Sequence, residues 1–316
     1  MKIFLTGISG FVGAGVAHYA LSEGHAVSGL VRASTNRWRL ADVEHRIDLR
    51  VGDLRDSEEL RQILLDVRPD VVMHLGVYGA YPTQSDAGTI LHTTVCGAYQ
   101  LLSAGKDAGV GMVVMAGSSS EYGTKDHPMR EDERIDPNSY YAVAKAAQTH
   151  LGQEFARKEG LPVVTLRLFS VYGPYEEPGR LVPTVIGRAL DGDEITLADP
   201  RIARDFVYLG DVARAFLVVA QRPELSGKVL NLGTGVQRTL GDVARIVLRE
   251  TQSTSQVSSG TYEQREFDTM TWVADIKAAS QVPGFVPTTS LEDGLRDTIR
   301  WYRDHTTHYS SQAHHD

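Results

Sequence analysis

The chain has 316 residues, 42% apolar and 23% charged, which is long enough for a full α/β core and a smaller appended lobe. Its net charge of -8 argues against a nucleic-acid binder with a basic surface, and its one cysteine, Cys96, excludes an internal disulfide or a cysteine-cluster metal site. The first apolar stretch is too short for a signal peptide, and no run approaches ~18 apolar residues. We therefore expect a soluble cytoplasmic protein with no membrane, nucleic-acid or metal partner.

Apolar runs alternate with helical patterns in residues 1–174. This alternation predicts a doubly wound parallel sheet of the Rossmann type, with right-handed crossovers and helices on both faces. The predicted strands are Lys2–Thr6, Ala26–Val31, Ile47–Val51, Val71–Leu75, Met112–Ala116 and Val163–Phe169. The predicted helices run from the end of the Gly7–Gly13 turn to Ser22, from Ser57 to Val67, from Ile90 to Ala108 and through Tyr141.

Beyond Gly173-Pro174 the pattern changes to helices separated by short strands and long polar loops. It predicts a smaller, mixed α/β substrate lobe at residues 175–304, with room for some segments to return to the main sheet. The predicted helices of this lobe are Leu181–Leu190, Asp211–Ala220, Thr239–Glu250 and Leu291–Arg303. The tail 305–316 has four histidines and no apolar face, and we expect it to be disordered.

A glycine-rich turn, Gly-x-x-Gly-x-x-Gly, lies between the first strand and the first helix. Glycines there let the backbone approach a diphosphate, and the helix N-terminus offers free N–H groups and a positive dipole end. A plain tight turn would use the same residues, but the position after a strand and before a helix favours a dinucleotide site. The predicted cofactor-binding residues of this turn are Gly7, Ser9, Gly10, Phe11, Val12 and Gly13.

The end of the second strand bears on the choice of cofactor. NAD sites place an acid there to bind the ribose 2′-hydroxyl, whereas this chain has Val31 at that place and Arg32 next. Arg32, with Arg37 as a second cation, can pair with a 2′-phosphate. NADP(H) is therefore favoured as the cofactor, and NAD(H) is the alternative. If NAD(H) is the cofactor, Arg32 is only a solvated charge of the loop.

A serine run, Ser118-Ser119-Ser120, follows the strand that begins at Met112. Ligands of doubly wound folds bind outside the carboxyl ends of the strands, so these hydroxyls are expected to face the same site as the glycine turn. One of them can hydrogen-bond a substrate oxygen. Serine-rich turns without a function are also common.

Tyr141 and Lys145 lie four residues apart and would share one face of a helix. A phenol has an ordinary pKa near ~10, and an ammonium about 4 Å away favours the phenolate by roughly 4 kcal/mol before desolvation is subtracted. That effect would make Tyr141 a workable acid and base. The spacing alone also occurs by chance on many helices.

Together these motifs resemble the extended short-chain dehydrogenase/reductases that act on nucleotide sugars, the NAD(P)-dependent epimerase/dehydratase family. The resemblance covers nearly the whole chain and continues in Leu168–Pro174, Ala203–Tyr208 and Asn231–Gly235. It implies that Tyr141 is the acid/base, that Lys145 binds the nicotinamide ribose and lowers the pKa of the tyrosine, and that Ser118 orients the reacting oxygen, with Ser119 as the fallback.

The same resemblance implies further binding residues. Asp53 and Leu54 should lie near the adenine, and Leu75 and Gly76 along the cofactor. Arg204 and Arg265 should clamp the substrate diphosphate, although a structural ion pair would also account for each arginine. The other substrate contacts expected are Tyr78, Ser119, Ser120 and Ser170. A homodimer through the helices at Ile90 and Tyr140 is expected as well.

Departures from the family pattern narrow the reaction. Family 4,6-dehydratases carry a glutamate two residues before the tyrosine that corresponds to Tyr122, and here that residue is Ser120, with Glu121 one place too late. Dehydration is therefore disfavoured. A nucleotide-sugar 4-epimerase and a 4-ketoreductase remain open, and Arg32 with the serine run is typical of the family's ketoreductases. A non-catalytic NADP-sensing regulator is the alternative of another class, but it has no need for Ser118, Tyr141 and Lys145 together.

Overall fold

The structure is a computed structural model, and it describes residues 1–81, 83–260 and 269–306. The strands of the described part are β1 Lys2–Thr6, β2 Ala26–Val31, β3 Ile47–Val51, β4 Val71–His74, β5 Met112–Ser118, β6 Val163–Leu168, β7 Ser170–Tyr172, β8 Ile195–Leu197, β9 Ala203–Tyr208, β10 Val229–Leu232, β11 Gln237–Thr239 and β12 Val257–Ser259. The helices are α1 Phe11–Ser22, α2 Ser57–Val67, α3 Ala87–Leu91, α4 Gly97–Asp107, α5 Tyr140–Glu154, α6 Leu181–Asp191, α7 Leu209–Ala220, α8 Leu240–Thr251 and α9 Leu291–Asp304.

Seven parallel strands form the main sheet in the order β10-β6-β5-β4-β1-β2-β3. One face is packed against α1 and α7, and the other is covered by α2, α4 and α5. Strand β5 is buried along its whole length, as expected for a central strand with helices on both sides. The predicted doubly wound Rossmann fold is confirmed.

The smaller lobe contains a mixed sheet, β11-β9-β7, and a parallel pair, β12-β8. Helices α6, α8 and α9 enclose its own apolar core. The chain leaves this lobe between 209 and 232, because α7 packs on α1 and β10 pairs with β6 of the main sheet. The prediction left room for later segments to return to the main sheet, and the segments that do so are α7 and β10.

Local signals explain most element boundaries. Helix α2 begins after Asp56, whose carboxylate accepts a hydrogen bond from the Glu59 N–H at 3.0 Å, and it ends at Arg68 in the left-handed region. The predicted helix from Ile90 is interrupted by a π-helical turn, His92–Cys96, between α3 and α4. None of the helices that the structure describes is long and apolar enough to cross a membrane.

The first residue of the predicted disordered tail, His305, is packed against the last helix. His305 stacks on Trp301 with ring centroids 4.3 Å apart, so the predicted disordered tail begins too early at 305. Residues 307–316 lie outside the described part of the chain.

Candidate active site

Helix α5 carries the predicted acid/base pair. The Ser139 hydroxyl caps the helix by accepting a hydrogen bond from the Ala142 N–H at 3.1 Å, which fixes the first turn. Tyr141 lies in that turn and Lys145 one turn later. The helix packs against β5, so both side chains lie at the sheet edge where the serine run begins.

The ammonium of Lys145 is buried and has two neutral acceptors. Its Nζ donates to the Ala116 carbonyl oxygen at 2.8 Å and to Gln148 Oε1 at 3.1 Å. Burial lowers the pKa of Lys145 to about 8, and the negative charge of Glu121 opposes this effect. His74 is buried nearby, and burial together with the Lys145 charge lowers its pKa to about 3. At neutral pH the lysine is therefore mostly charged and the histidine neutral.

Ser118 is the last residue of β5, and its side chain lies close enough to the Tyr141 phenol to lower the pKa of that phenol. Its hydroxyl also accepts a hydrogen bond from the Ser120 N–H at 3.1 Å. Burial raises the pKa of Tyr141 above its ordinary value, and the Ser118 side chain opposes this effect. The expected lowering of this pKa by Lys145 is wrong for this structure, because desolvation of the phenol is the largest effect.

The remaining serines of the run differ in their surroundings. Ser119 is buried, and its hydroxyl accepts a hydrogen bond from Trp272 Nε1 at 3.1 Å. The Arg204 guanidinium lies 5.5 Å from the Trp272 ring and donates to the Ala203 carbonyl oxygen at 2.8 Å. Ser119 therefore has a structural partner and does not replace Ser118 beside Tyr141, whereas Trp272 connects Arg204 to the serine turn.

Glu121 does not point into the site. Its side chain is fully buried, with Oε1 accepting from the Ser118 N–H and Oε2 from Arg167 Nε, each at 2.9 Å. Ser120, at the place of the dehydratase glutamate, is half-buried and carries no acid. No carboxylate of this turn is thus available to a substrate.

The glycine turn has the close packing that a dinucleotide site requires. Gly7 has φ +70°, and a Cβ on it would lie 2.6 Å from the Gly76 nitrogen. A Cβ on Gly13 would lie 2.0 Å from the Gly7 carbonyl oxygen, so only glycine lets α1 begin this close to β1. Gly10 caps α1 without a side-chain hydrogen bond, which leaves the N–H groups of the first turn without a side-chain partner at the cap. These groups, with Ser9, Phe11 and Val12 partly exposed around them, fit the diphosphate of a dinucleotide.

The end of β2 offers one unpaired cation. Arg32 is exposed and makes no ion pair with any residue that the structure describes. Arg37 pairs with Glu44 at 2.7 Å, so it is not the second free cation that was expected. Asp53 accepts a hydrogen bond from Arg55 at 2.7 Å, and this bond is the main cause that lowers the pKa of the Asp53 carboxyl. The charge of Arg32 lowers the same pKa by a smaller amount.

The other predicted binding residues lie beside the glycine turn, at the carboxyl ends of two strands, or outside the described part of the chain. Leu54 contacts the glycine region, since its Cδ1 would meet a Cβ on Gly76 at 2.8 Å, and Leu75 adjoins Gly7. Tyr78 and Ser170 are half-buried at the carboxyl ends of β4 and β6. Arg265 lies in residues 261–268, outside the described part of the chain.

Sequence reasoning missed an arginine near the acid/base pair. The Arg180 guanidinium lies 5.1 Å from the centre of the Tyr81 ring and donates to the Ala80 carbonyl oxygen at 2.7 Å. The charge of Arg180 lowers the pKa of Tyr141, so the segment before α6 faces the site. Gln148 was also missed, although its place three residues after Lys145 on one helix face was a usable signal.

Comparisons with known proteins agree with this geometry. Residues 3–233 match the NAD dependent epimerase/dehydratase family. The chain is 27% identical to a UDP-glucuronate 4-epimerase of Thermodesulfobacterium geofontis, over 95% of each chain. It is 28% identical to dTDP-glucose 4,6-dehydratase 1 of Escherichia coli, over 97% of this chain and 94% of that one. A crystal structure of the UDP-glucose 4-epimerase of Thermotoga maritima with UDP-glucose matches with a TM-score of 0.89 at 26% identity, covering 97% of this chain and 100% of that one.

Proposed function

This chain belongs to the NAD dependent epimerase/dehydratase family, and from that premise we propose that it is a nucleotide-sugar 4-epimerase in which Tyr141 transfers the proton of the C4 hydroxyl. The observation that carries the proposal is that the Ser118 side chain lies beside the Tyr141 phenol, with the buried ammonium of Lys145 one helical turn further along the same helix. Relatives that act as 4-epimerases on UDP-glucuronate and UDP-glucose support C4 as the reacting carbon.

The three side chains divide the work at one oxygen. Tyr141 takes the proton from the C4 hydroxyl and later returns it, while Ser118 holds the same oxygen with its hydroxyl. A nicotinamide cofactor held by the glycine turn would supply reversible hydride transfer at C4. Lys145 keeps its buried ammonium one helical turn from Tyr141, where its positive charge would favour the phenolate against the desolvation that raises the pKa of the phenol.

The 4,6-dehydratase alternative needs an acid that reaches C5 and C6 of the sugar. Ser120 occupies the place of that acid, and the Glu121 carboxylate is buried between Ser118 and Arg167. A relative with dehydratase activity exists, but these two positions argue against elimination of water here.

Arg32 supports a preference for NADP(H) and with it a second candidate function, the 4-ketoreductase, which consumes one NADPH per turnover. A 2′-phosphate beside this exposed, unpaired guanidinium gains a charge-assisted hydrogen bond worth about 1.5–3 kcal/mol. We expect Arg32→Ala to weaken NADPH binding roughly 10- to 100-fold and to leave NADH binding unchanged. Arg37→Ala is the matched control, since Arg37 already pairs with Glu44. Equal affinities of the wild type for the two cofactors would refute the preference.

The decisive experiment follows conversion of UDP-, GDP-, dTDP- and CDP-sugars by chromatography together with absorbance of the reduced nicotinamide. Conversion without net change in NADPH identifies an epimerase, and stoichiometric loss of NADPH with a keto sugar identifies a reductase. Tyr141→Phe should lower turnover by ~10² or more with cofactor binding intact. The control is Tyr140→Phe, because Tyr140 is the preceding residue of the same turn and is 62% exposed. Undiminished turnover of Tyr141→Phe would remove the tyrosine from the mechanism.

We also propose that the chain forms a homodimer through α3, α4 and α5. These neighbouring helices expose apolar side chains, Leu91, Tyr99, Tyr140 and Val143. Val143→Glu should shift the protein to monomer in sedimentation velocity. Val236→Glu, which changes an even more exposed valine elsewhere, should not. A wild-type monomer at micromolar concentration would contradict the proposal.

A further inference from the structure

Glu121 and Arg167 form a buried ion pair directly behind the serine turn. The side chain of Glu121 is 0% exposed and that of Arg167 is 4% exposed. Arg167 comes from β6, 46 positions later, so the contact is tertiary and depends on the pairing of β5 with β6. Replacement of such a pair by apolar residues is often neutral for stability, which makes stability alone a weak reason for its presence.

The glutamate holds the backbone of the serine that contacts Tyr141. Glu121 Oε1 accepts from the Ser118 N–H at 2.9 Å, while the Ser118 hydroxyl accepts from the Ser120 N–H at 3.1 Å. This reciprocal arrangement fixes both ends of Ser118 within one turn. Gly117 leaves the space for it, since a Cβ there would lie 2.7 Å from Glu121 Oε1.

The cation is held in turn by the next strands of the sheet. The Arg167 guanidinium stacks 4.5 Å from the centre of the Tyr122 ring. The Tyr122 hydroxyl donates to Asn231 Oδ1 at 2.7 Å, and Asn231 belongs to β10. The position of Ser118 is therefore set by three adjacent strands, β5, β6 and β10, through charged and polar groups with fixed directions.

We propose that Glu121 is a positioning residue for the reaction, which uses its ion pair with Arg167 to hold the Ser118 hydroxyl against Tyr141. The inference rests on the proposed acid/base function of Tyr141 and adds a residue that touches neither sugar nor cofactor. A serine displaced by about 1 Å at the end of β5 would no longer share one substrate oxygen with the phenol, and such misplacement can cost ~10²-fold in rate.

A double-mutant cycle on kcat tests this role. Glu121→Gln keeps an oxygen acceptor for the Ser118 N–H but removes the charge that holds Arg167, so kcat should fall by roughly 10- to 100-fold with unchanged cofactor affinity. In a Ser118→Ala background the same substitution should lower kcat by less than ~3-fold, because there is no hydroxyl left to position. Additive losses, or an unchanged kcat in Glu121→Gln, would overturn the proposal.

A second pair of variants covers the case in which Glu121→Gln folds poorly. Arg167→Lys keeps a cation and should retain a larger share of kcat than Arg167→Met, with equal KM in the two proteins. Equal kcat values would contradict the proposed role. The pH profile of kcat adds an independent readout. The Glu121 charge raises the pKa of both Tyr141 and Lys145, so Glu121→Gln should move both limbs of the profile to lower pH.

Wild-type protein that converts no nucleotide sugar would refute the proposed function and not the positioning role of Glu121. The failure of the function and the failure of the positioning role can therefore be told apart.

Discussion

Gln148→Met should move the pH dependence of turnover, because Gln148 is one of the two hydrogen-bond acceptors of the buried Lys145 ammonium, and the other is the Ala116 carbonyl. Met has a similar volume and no acceptor of comparable strength. A hydrogen bond to a charged group is worth about 1.5–3 kcal/mol, and 1.36 kcal/mol corresponds to one pKa unit. The pKa of Lys145 should therefore fall from about 8 to ~6–7.

The assay is the pH profile of kcat with saturating cofactor and sugar. If the charged lysine supports Tyr141, the alkaline limb should move down by roughly 1–2 pH units, and turnover at pH 8 should fall more than turnover at pH 6. Gln148→Glu should move the limb in the opposite direction, since a carboxylate stabilises the ammonium. Gln153→Met is the control, because Gln153 lies on the same helix and bonds to His150 instead. An unmoved limb in a folded Gln148→Met protein would refute the role given to Lys145.

Three further predictions concern stability. Asp205→Ala should lower the free energy of unfolding by about 3–5 kcal/mol in urea titration, because its buried carboxylate accepts hydrogen bonds from four groups of the 234–235 and 274 segments; a loss below ~1 kcal/mol would contradict this. Asp211→Asn should cost about 1–3 kcal/mol at pH 7, since Asp211 pairs with Arg214 and its folded pKa is lowered. That contribution is present above the ordinary pKa near ~3.9 and is lost as pH falls through the folded value, so the two melting curves should converge in acid. Tyr122→Phe should cost about 1–3 kcal/mol by thermal melting, because it removes the buried hydroxyl that donates to Asn231, and an unchanged midpoint would count against that bond.

The fold could be predicted in most of its parts because the signals are local. The strand and helix boundaries agree with the prediction to within a few residues, as at β2, β3 and α2. Periodicity does not state which sheet a strand will join, however. The pairing of β10 with β6 brings together residues more than sixty positions apart, so the split of the smaller lobe could not be read from the chain.

The site shows the same division between local and tertiary information. Spacing, order and the family resemblance predicted Ser118, Tyr141 and Lys145 as catalytic residues, and the structure brings the side chains of the first two close together. Their catalytic roles stay a prediction. The direction of the Tyr141 pKa was wrong because it depends on burial, which a motif does not reveal. The partner of Glu121 was missed for a similar reason, since Arg167 lies on another strand. The cytoplasmic location stays a prediction, as does the role of Arg265.

The distribution of buried charge around Tyr141 explains why both acceptors of Lys145 are neutral. Glu121 is a buried anion of the site, and its charge is compensated by Arg167 at 2.9 Å. The Lys145 ammonium is hydrogen-bonded to an amide oxygen and a backbone carbonyl and forms no salt bridge with a carboxylate of the described residues, so the charge of Glu121 acts on it without direct contact. A phenol whose pKa is raised by burial needs an uncompensated positive charge to become a base at neutral pH. The buried pair therefore positions the serine without reducing the charge that the tyrosine requires.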